Sequence, residues 1–103
     1  MAAELHVAPK ADLDISEAFA WYEDRQTGLG DKFLSELEQC FQHVREYPTA
    51  NLKLKLPSGF RRALLRRFPY AVFYKYQNDI VEVYCICHTG RNPEVWQKRL
   101  SGV

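Results

Sequence analysis

Long apolar runs, cysteines and repeats are scarce in this chain, and each scarcity excludes a class of protein. No stretch approaches the roughly 20 apolar residues of a membrane span, and the first residues lack the basic-then-apolar layout of a secretory signal, so we expect a soluble cytoplasmic protein. No repeat, linker or low-complexity tract appears. With 103 residues, 47% of them hydrophobic, we expect one domain over residues 1–103 that needs no metal or disulfide to fold.

The three cysteines do not form a disulfide framework. Cys85 and Cys87 are two apart in a predicted strand, where their side chains would point the same way without suitable geometry for a bond, so reduced thiols are expected. The run Cys85-Ile86-Cys87-His88 is one residue short of a haem attachment motif, and as a zinc site it lacks a clear fourth ligand. We therefore expect no metal and no cofactor.

Charge is distributed unevenly between the two halves of the sequence. Residues 1–50 hold four Lys or Arg against ten Asp or Glu, a net charge of −6, whereas residues 51–103 hold ten against three, a net charge of +7. A cationic half attracts phosphates or an acidic partner. The alternative is that these side chains only protect exposed strand edges from aggregation.

Hydrophobic periodicity predicts a strand and two helices in the first half. Residues 4–8 form a short apolar strand that ends at Pro9. A stripe at i, i+3, i+4 and i+7, made by Ile15, Ala18, Phe19 and Tyr22, predicts an amphipathic helix over about residues 10–26. A second stripe predicts a helix over about residues 29–46. The glycine-containing link between them predicts an antiparallel helical hairpin.

Three strands are predicted in the second half, over about residues 60–67, 70–76 and 80–87, after a loop over residues 49–59. Alternation places Cys85 and Cys87 on the core face of the last strand and leaves His88 on the more polar face. The result is an α+β fold, with the hairpin packed on a mainly antiparallel four-stranded sheet in the order β-α-α-β-β-β and a short C-terminal helix. The other sheet face is expected to stay partly free and to be lined by guanidinium groups.

An ordered set of motifs resembles the RelE/ParE superfamily of bacterial toxins from type II toxin-antitoxin, or plasmid stabilisation, modules. The likeness extends from about residue 9 to residue 99. It rests on Ala11-Asp12-Leu13, Trp21-Tyr22-Glu23, Gly30 with Phe33, Tyr47-Pro48, Arg66-Arg67-Phe68-Pro69-Tyr70 with Phe73-Tyr74, and His88 followed by Arg91, Pro93 and Trp96. The resemblance implies a growth-inhibiting toxin that acts either as a poison of DNA gyrase or as a ribosome-dependent messenger RNA endonuclease.

An endonuclease would need a base, an acid and cations for the charge on the phosphorane. His88 matches the histidine with which some family ribonucleases end the last strand, and Arg62, Arg66 and Arg91 are the expected cations. Two differences favour the gyrase poison instead. Ala71 stands where related ribonucleases carry an arginine, and Trp96 stands where they often place a tyrosine. A non-toxic binding module that retains the fold is a third interpretation.

The resemblance also implies a small acidic antitoxin, which would order as it binds. The antitoxin, or the target, is expected to contact a set of basic and aromatic side chains, namely Arg61, Arg62, Arg66, Arg67, Lys75, Arg91 and Trp96. Neutralisation would mask Arg62, Arg66, Arg67 and His88. A homodimer or a toxin-antitoxin hetero-oligomer is compatible with the sequence, and no membrane partner is expected.

Overall fold

The computed structural model describes residues 2–55 and 58–102, so Pro57 of the predicted loop lies outside the described residues. The chain begins with strand β1 (Glu4–Val7) and helices α1 (Pro9–Arg25) and α2 (Leu29–Glu46). It continues with strands β2 (Leu52–Lys53), β3 (Arg61–Leu64), β4 (Tyr70–Gln77) and β5 (Ile80–His88), and ends with helix α3 (Glu94–Ser101). The α+β class and the order of the predicted elements are confirmed.

The sheet has five strands rather than the four expected, in the order β1-β5-β4-β3-β2. β1 runs parallel to β5, and the other neighbours are antiparallel. The additional strand is β2, which pairs Leu52 with Arg62 and Lys53 with Arg61 inside the segment predicted as a loop. Two residues are too few to show an alternation, so only the pairing with β3 defines this strand.

The helical hairpin turns at two glycines that Glu23 holds in place. Gly28 adopts a left-handed conformation, with φ of 89°, that costs glycine little. Its N–H and that of Gly30 donate to the Glu23 carboxylate at 3.0–3.1 Å. Gly30 is buried, and a Cβ there would lie 2.7 Å from the Phe19 ring. The close approach of the two helices therefore depends on a residue without a side chain.

Two apolar clusters cover the two faces of the sheet. The helix-side core contains Tyr22 and Phe33 from the hairpin and Val72, Tyr74 and Val83 from the sheet. The second cluster lies under α3 and contains Phe60, Ala71, Phe73, Cys85 and Leu100. The face that was expected to stay partly free is partly covered by the C-terminal helix.

A β-bulge changes which side chains of β5 face the helices. Phe73 pairs with Cys85 but Tyr74 pairs with Val83, so Tyr84 is an extra residue in the ladder. One extra residue reverses the alternation beyond it. The prediction that put Cys85 on the same face as Val83 and His88 on the opposite one is therefore wrong. Cys85 is buried under α3, whereas Ile86 joins the helix-side core.

Cys85 and Cys87 form a disulfide, so the prediction of reduced thiols is wrong for this pair. Their Cα atoms are 6.0 Å apart, because the two residues are two positions apart in β5 and their side chains leave the same face of the strand. Cys40 is a free, partly buried thiol. Among the described residues, no helix has the length and apolar character that crossing a membrane requires.

Candidate functional site

A cleft of about 450 Å³ opens between α1, the C-terminal end of β5 and α3. It brings together three of the predicted site residues, His88, Arg91 and Trp96, with two aromatic residues that were not predicted there, Trp21 and Tyr70. We take this cleft as the candidate functional site because it joins the family motif at the end of the last strand to the surface of α1.

The position of the cleft follows from the short length of β1, which pairs only with Ile80–Val83 of β5. Side chains take the place of a neighbouring strand along the rest of that edge. The Ile86 N–H donates to Asp14 Oδ2 at 3.0 Å, and Arg99 donates to the Tyr84 carbonyl at 3.3 Å and to Asp14 Oδ1 at 2.7 Å. The ion pair therefore satisfies backbone groups of β5 and ties α1 to α3.

His88 lines the cleft, and one of its ring nitrogens already accepts a hydrogen bond. Its Nδ1 accepts the N–H of Gly90 at 2.9 Å, and its ring meets the ring of Tyr70 edge to face at 5.2 Å. Burial raises the pKa of Tyr70, an effect that the nearby Arg91 opposes and Asp14 strengthens. The tyrosine is thus a neutral hydroxyl at physiological pH, and a neutral His88 ring whose Nδ1 accepts a hydrogen bond carries its hydrogen on Nε2.

The charge lining the cleft is mixed rather than uniformly positive. Arg91 is exposed at the mouth, whereas Arg99 is paired with Asp14. Asp14 and Glu17 add negative charge to the α1 wall. A phosphate group entering the cleft would meet one unpaired guanidinium, within the part of the chain that the structure describes, and a carboxylate beside it.

The remaining predicted cations are divided between the two sides of the sheet, so the expectation of one guanidinium-lined face is wrong. Arg61 faces the helix side, because it pairs with Tyr74, and it donates to the carbonyls of Thr49 and Asn51. Arg62, the next residue, pairs with Phe73 and faces the α3 side. Its Nε is buried without a hydrogen-bond partner among the described residues. Strand alternation thus separates adjacent arginines by the thickness of the sheet.

Three further predicted residues lie away from the cleft. Arg66 lines a separate groove between α2 and β3, and Arg67 is 82% exposed with its Nε 3.4 Å from Glu36. Lys75 lies on the α3 side, with its Nζ 4.6 Å from the centre of the Phe60 ring.

Sequence reasoning missed Asp14 and Arg99 because nothing local marks a contact between residues 85 positions apart. The exposed position of Trp21 could have been predicted from the sequence, since this residue falls outside the apolar stripe of α1. It is 49% exposed, and the Arg25 guanidinium lies 3.3 Å from its ring centre. Trp96, predicted to contact the antitoxin or the target, stacks on Phe73 at 4.6 Å and lines the cleft.

One group of potential metal ligands adjoins the cleft. A carboxylate oxygen of Asp14 and the sulfurs of Cys85 and Cys87 lie within 4.8 Å of one another. The sulfurs are bonded to each other, and both Asp14 oxygens already accept hydrogen bonds. The group as it stands offers no free thiolate to a cation.

A family model described as the ParE toxin of the parDE type II toxin-antitoxin system matches residues 5–93. The chain belongs to this family. The match spans β1 through the cleft residue Arg91, so the ParE-family assignment applies to the fold and to most of the candidate site. The resemblance inferred from the sequence is confirmed at this level.

Two solved structures share the fold of this ParE-family chain. The chromosomal ParDE system from P. aeruginosa aligns with a TM-score of 0.73 and 14% identity over 84% of this chain and 96% of that one. A mutant of the E. coli toxin RelE in the free state aligns with a TM-score of 0.71 and 20% identity over 100% of this chain and 99% of that one. No curated protein matches the sequence significantly.

Proposed function

We propose that this ParE-family chain inhibits growth by binding DNA gyrase through the cleft, and that it does not cleave RNA. One observation carries the proposal. Of the three arginines that RNA cleavage was expected to use, only Arg91 lines the cleft with His88, while Arg62 and Arg66 lie elsewhere.

Chemical requirements weigh against an endonuclease. The Nδ1 lone pair of His88 is occupied by the Gly90 N–H, so a neutral His88 has no nitrogen free to act as a base. The phosphorane charge would depend on Arg91, in a cleft that the carboxylates of Asp14 and Glu17 also line. Ala71, where related ribonucleases carry arginine, is 2% exposed and packs in the core under α3. Removing one charge-stabilising donor typically raises a barrier by about 3 kcal/mol.

The same cleft has the composition of a protein-binding surface. Trp21 and Trp96 supply aromatic area, Val95 is 51% exposed, and charged groups surround them. Aromatic residues and arginine contribute most to affinity at protein interfaces. A binding function needs no assembled catalytic set, which is why the cleft supports it better.

We further propose that an acidic antitoxin neutralises the chain, attracted by the net charge of +7 in residues 51–103. The predicted masking of Arg62, Arg66, Arg67 and His88 would require the antitoxin to wrap around more than one face. A segment that orders as it binds can do so.

The decisive experiment compares two purified systems. Wild-type protein should inhibit DNA supercoiling by gyrase and leave ribosome-bound messenger RNA intact, and Arg91→Glu should abolish the inhibition. Message cleavage that His88→Ala abolishes would overturn the proposal in favour of the endonuclease. Normal growth of cells expressing the chain alone, without gyrase inhibition, would instead indicate a non-toxic module.

A further inference from the structure

A carboxylate and two sulfurs lie together where α1 meets β5. An oxygen of Asp14 and the Sγ atoms of Cys85 and Cys87 are within 4.8 Å of one another. Asp14 and Cys87 line the cleft, whereas Cys85 is fully buried under α3. The proposed binding function assigns no contact to any of these three side chains, although all three atom types are ligands for metal ions.

The positions of the three side chains follow from the strand and from one backbone contact. Cys85 and Cys87 are two positions apart in β5, so their side chains leave the same face, and the disulfide shows that their sulfurs reach each other. Ile86 lies between them, and its N–H donates to Asp14 Oδ2 at 3.0 Å. The carboxylate is therefore held against the backbone of the cysteine pair itself.

Arg99 fixes the carboxylate from its other side. Its Nη1 donates to Asp14 Oδ1 at 2.7 Å, and both side chains of this pair are largely buried. Carboxylates that bind metals are usually hydrogen-bonded to further groups in this way, which sets their orientation. A carboxylate oxygen has two lone pairs, so an oxygen that accepts one hydrogen bond keeps a second lone pair for a cation.

The disulfide must open before the sulfurs can bind a cation. Two molecules of a small thiol achieve this, because their hydrogens pass to the two cysteine sulfurs, the protein S–S bond breaks, and the small molecules leave joined by a new S–S bond. A divalent cation then displaces both protons and binds the two thiolates. The disulfide and the metal use the same sulfurs, so they exclude each other.

Ligand type, distance and charge favour zinc. Thiolates prefer zinc to magnesium or calcium. Zinc lies about 2.3 Å from a thiolate sulfur and about 2.0–2.2 Å from a carboxylate oxygen, so the three atoms need only small shifts from their present spacing. The negative charges of two thiolates and Asp14 equal the positive charges of Zn²⁺ and the Arg99 guanidinium, so a partly buried site would carry no net charge.

We propose that the reduced protein binds one Zn²⁺ through Asp14, Cys85 and Cys87. Within the described part of the chain, no fourth protein ligand belongs to the group. Asp14 and Cys87 line the cleft, so water from the cleft completes the tetrahedral coordination, as in an open zinc site. Asp14 comes from another element, which is why the run of residues 85–88 by itself did not predict a metal site.

The test uses the Cys40→Ser protein, in which Cys85 and Cys87 are the only cysteines. Zn²⁺ is titrated in the absence of oxygen, in competition with a chromophoric chelator, into the reduced protein and into the disulfide form. We expect the reduced form to bind one equivalent and the disulfide form to bind at least about a hundredfold more weakly, because it has no thiolate. Cd²⁺ should give the ultraviolet charge-transfer band of a thiolate-bound cation with the reduced form alone.

Two substitutions and a matched control test the individual ligands. Cys87→Ser and Asp14→Asn should each weaken zinc binding by at least about tenfold, because even residues that only support a metal ligand are typically worth about 10–100-fold in affinity. Glu17→Gln removes a carboxylate that lines the cleft outside the group, and it should change the affinity by less than about threefold. Circular dichroism checks that each variant is folded.

Three results would overturn the proposal: no zinc binding by the reduced protein, equal binding by the reduced and disulfide forms, or unchanged binding after Cys87→Ser. Equal affinities of the Asp14→Asn and Glu17→Gln variants would overturn the assignment of Asp14 as a ligand. The cadmium band needs no substitution within the site, so it decides whether thiolates bind the cation even if a variant misfolds. None of these measurements involves gyrase, so they are independent of the proposed function.

Discussion

Asp14 Oδ1 lies 2.7 Å from the Nη1 atom of Arg99 although the two residues are 85 positions apart. Their side chains are only 16% and 22% exposed, and they take the place of a strand along the open half of β5. The pair therefore connects three elements, α1, β5 and α3, around the candidate functional site.

Asp14→Ala should destabilise the protein by about 2–4 kcal/mol, because it leaves the Ile86 N–H without its acceptor and the partly buried Arg99 guanidinium without its carboxylate. Urea unfolding at neutral pH measures the loss. Asp24→Ala, at an exposed position on the same helix, is the matched control and should change stability by less than about 0.5 kcal/mol. Equal effects of the two substitutions would contradict a structural role for the ion pair.

Gly30→Ala should cost about 1–3 kcal/mol, because the new Cβ would lie 2.7 Å from the Phe19 ring and 3.0 Å from a Glu23 oxygen. Gly102→Ala provides the control, since its Cβ would meet nothing closer than 3.6 Å. Thermal unfolding distinguishes the two. A Gly30→Ala variant as stable as wild type would mean that the hairpin can open slightly at no cost.

Cys40 should react slowly with thiol reagents in the folded protein. Burial raises its pKa from 9.0 to about 11, which lowers the thiolate fraction at pH 8 by roughly a hundredfold relative to an unfolded chain. Labelling kinetics with and without denaturant measure the difference, and Cys40→Ser identifies the reacting group. Equally fast labelling in both states would show that the thiol is accessible.

The same pKa shift predicts a stability change at alkaline pH. Because the pKa is raised in the folded state, the buried protonated thiol makes its full contribution to the free energy of unfolding below pH 9. That contribution is lost as the pH rises toward 11. Cys40→Ala should remove this dependence, so the stability difference between wild type and variant should shrink between pH 8 and pH 10.5. The titration of the other tyrosines is common to both proteins and cancels in the comparison, whereas the pKa of Tyr74 is raised by burial and in part by Cys40 itself. A constant difference would disprove the shift.

Arg91→Ala should lower the potency of gyrase inhibition by at least about tenfold while leaving the unfolding temperature unchanged. Arg91 is exposed and lines the cleft, so under the proposed function its loss would remove a contact with the target rather than packing. Lys98→Ala is the control, because Lys98 is an exposed cation on α3 that does not line the cleft. Similar inhibition by both variants would place the target elsewhere on the protein.

Local patterns were sufficient for much of the architecture. The stripe of Ile15, Ala18 and Tyr22 predicted α1, the glycine link predicted the hairpin, and the short turn after Gln77 predicted the pairing of β4 with β5. These features were accessible because helix periodicity and turn chemistry depend on residues close together in the chain. The family resemblance rested on the same local motifs.

The site was only partly predictable from the sequence. His88, Arg91 and Trp96 could be identified because they lie close together in the sequence, from the last residue of β5 onward. The face on which His88 lies could not, because the bulge at Tyr84 depends on how β4 and β5 align rather than on either strand alone.

By itself, the sequence determined the α+β class, the helical hairpin and the family, since each is encoded in spacing over a few residues. Tertiary structure alone decided that Asp14 meets Arg99, that Arg61 and Arg62 face opposite ways, and that Asp14 lies beside Cys85 and Cys87. These are contacts between distant segments, and their geometry is set by strand register and by the packing of α3, which no local pattern specifies.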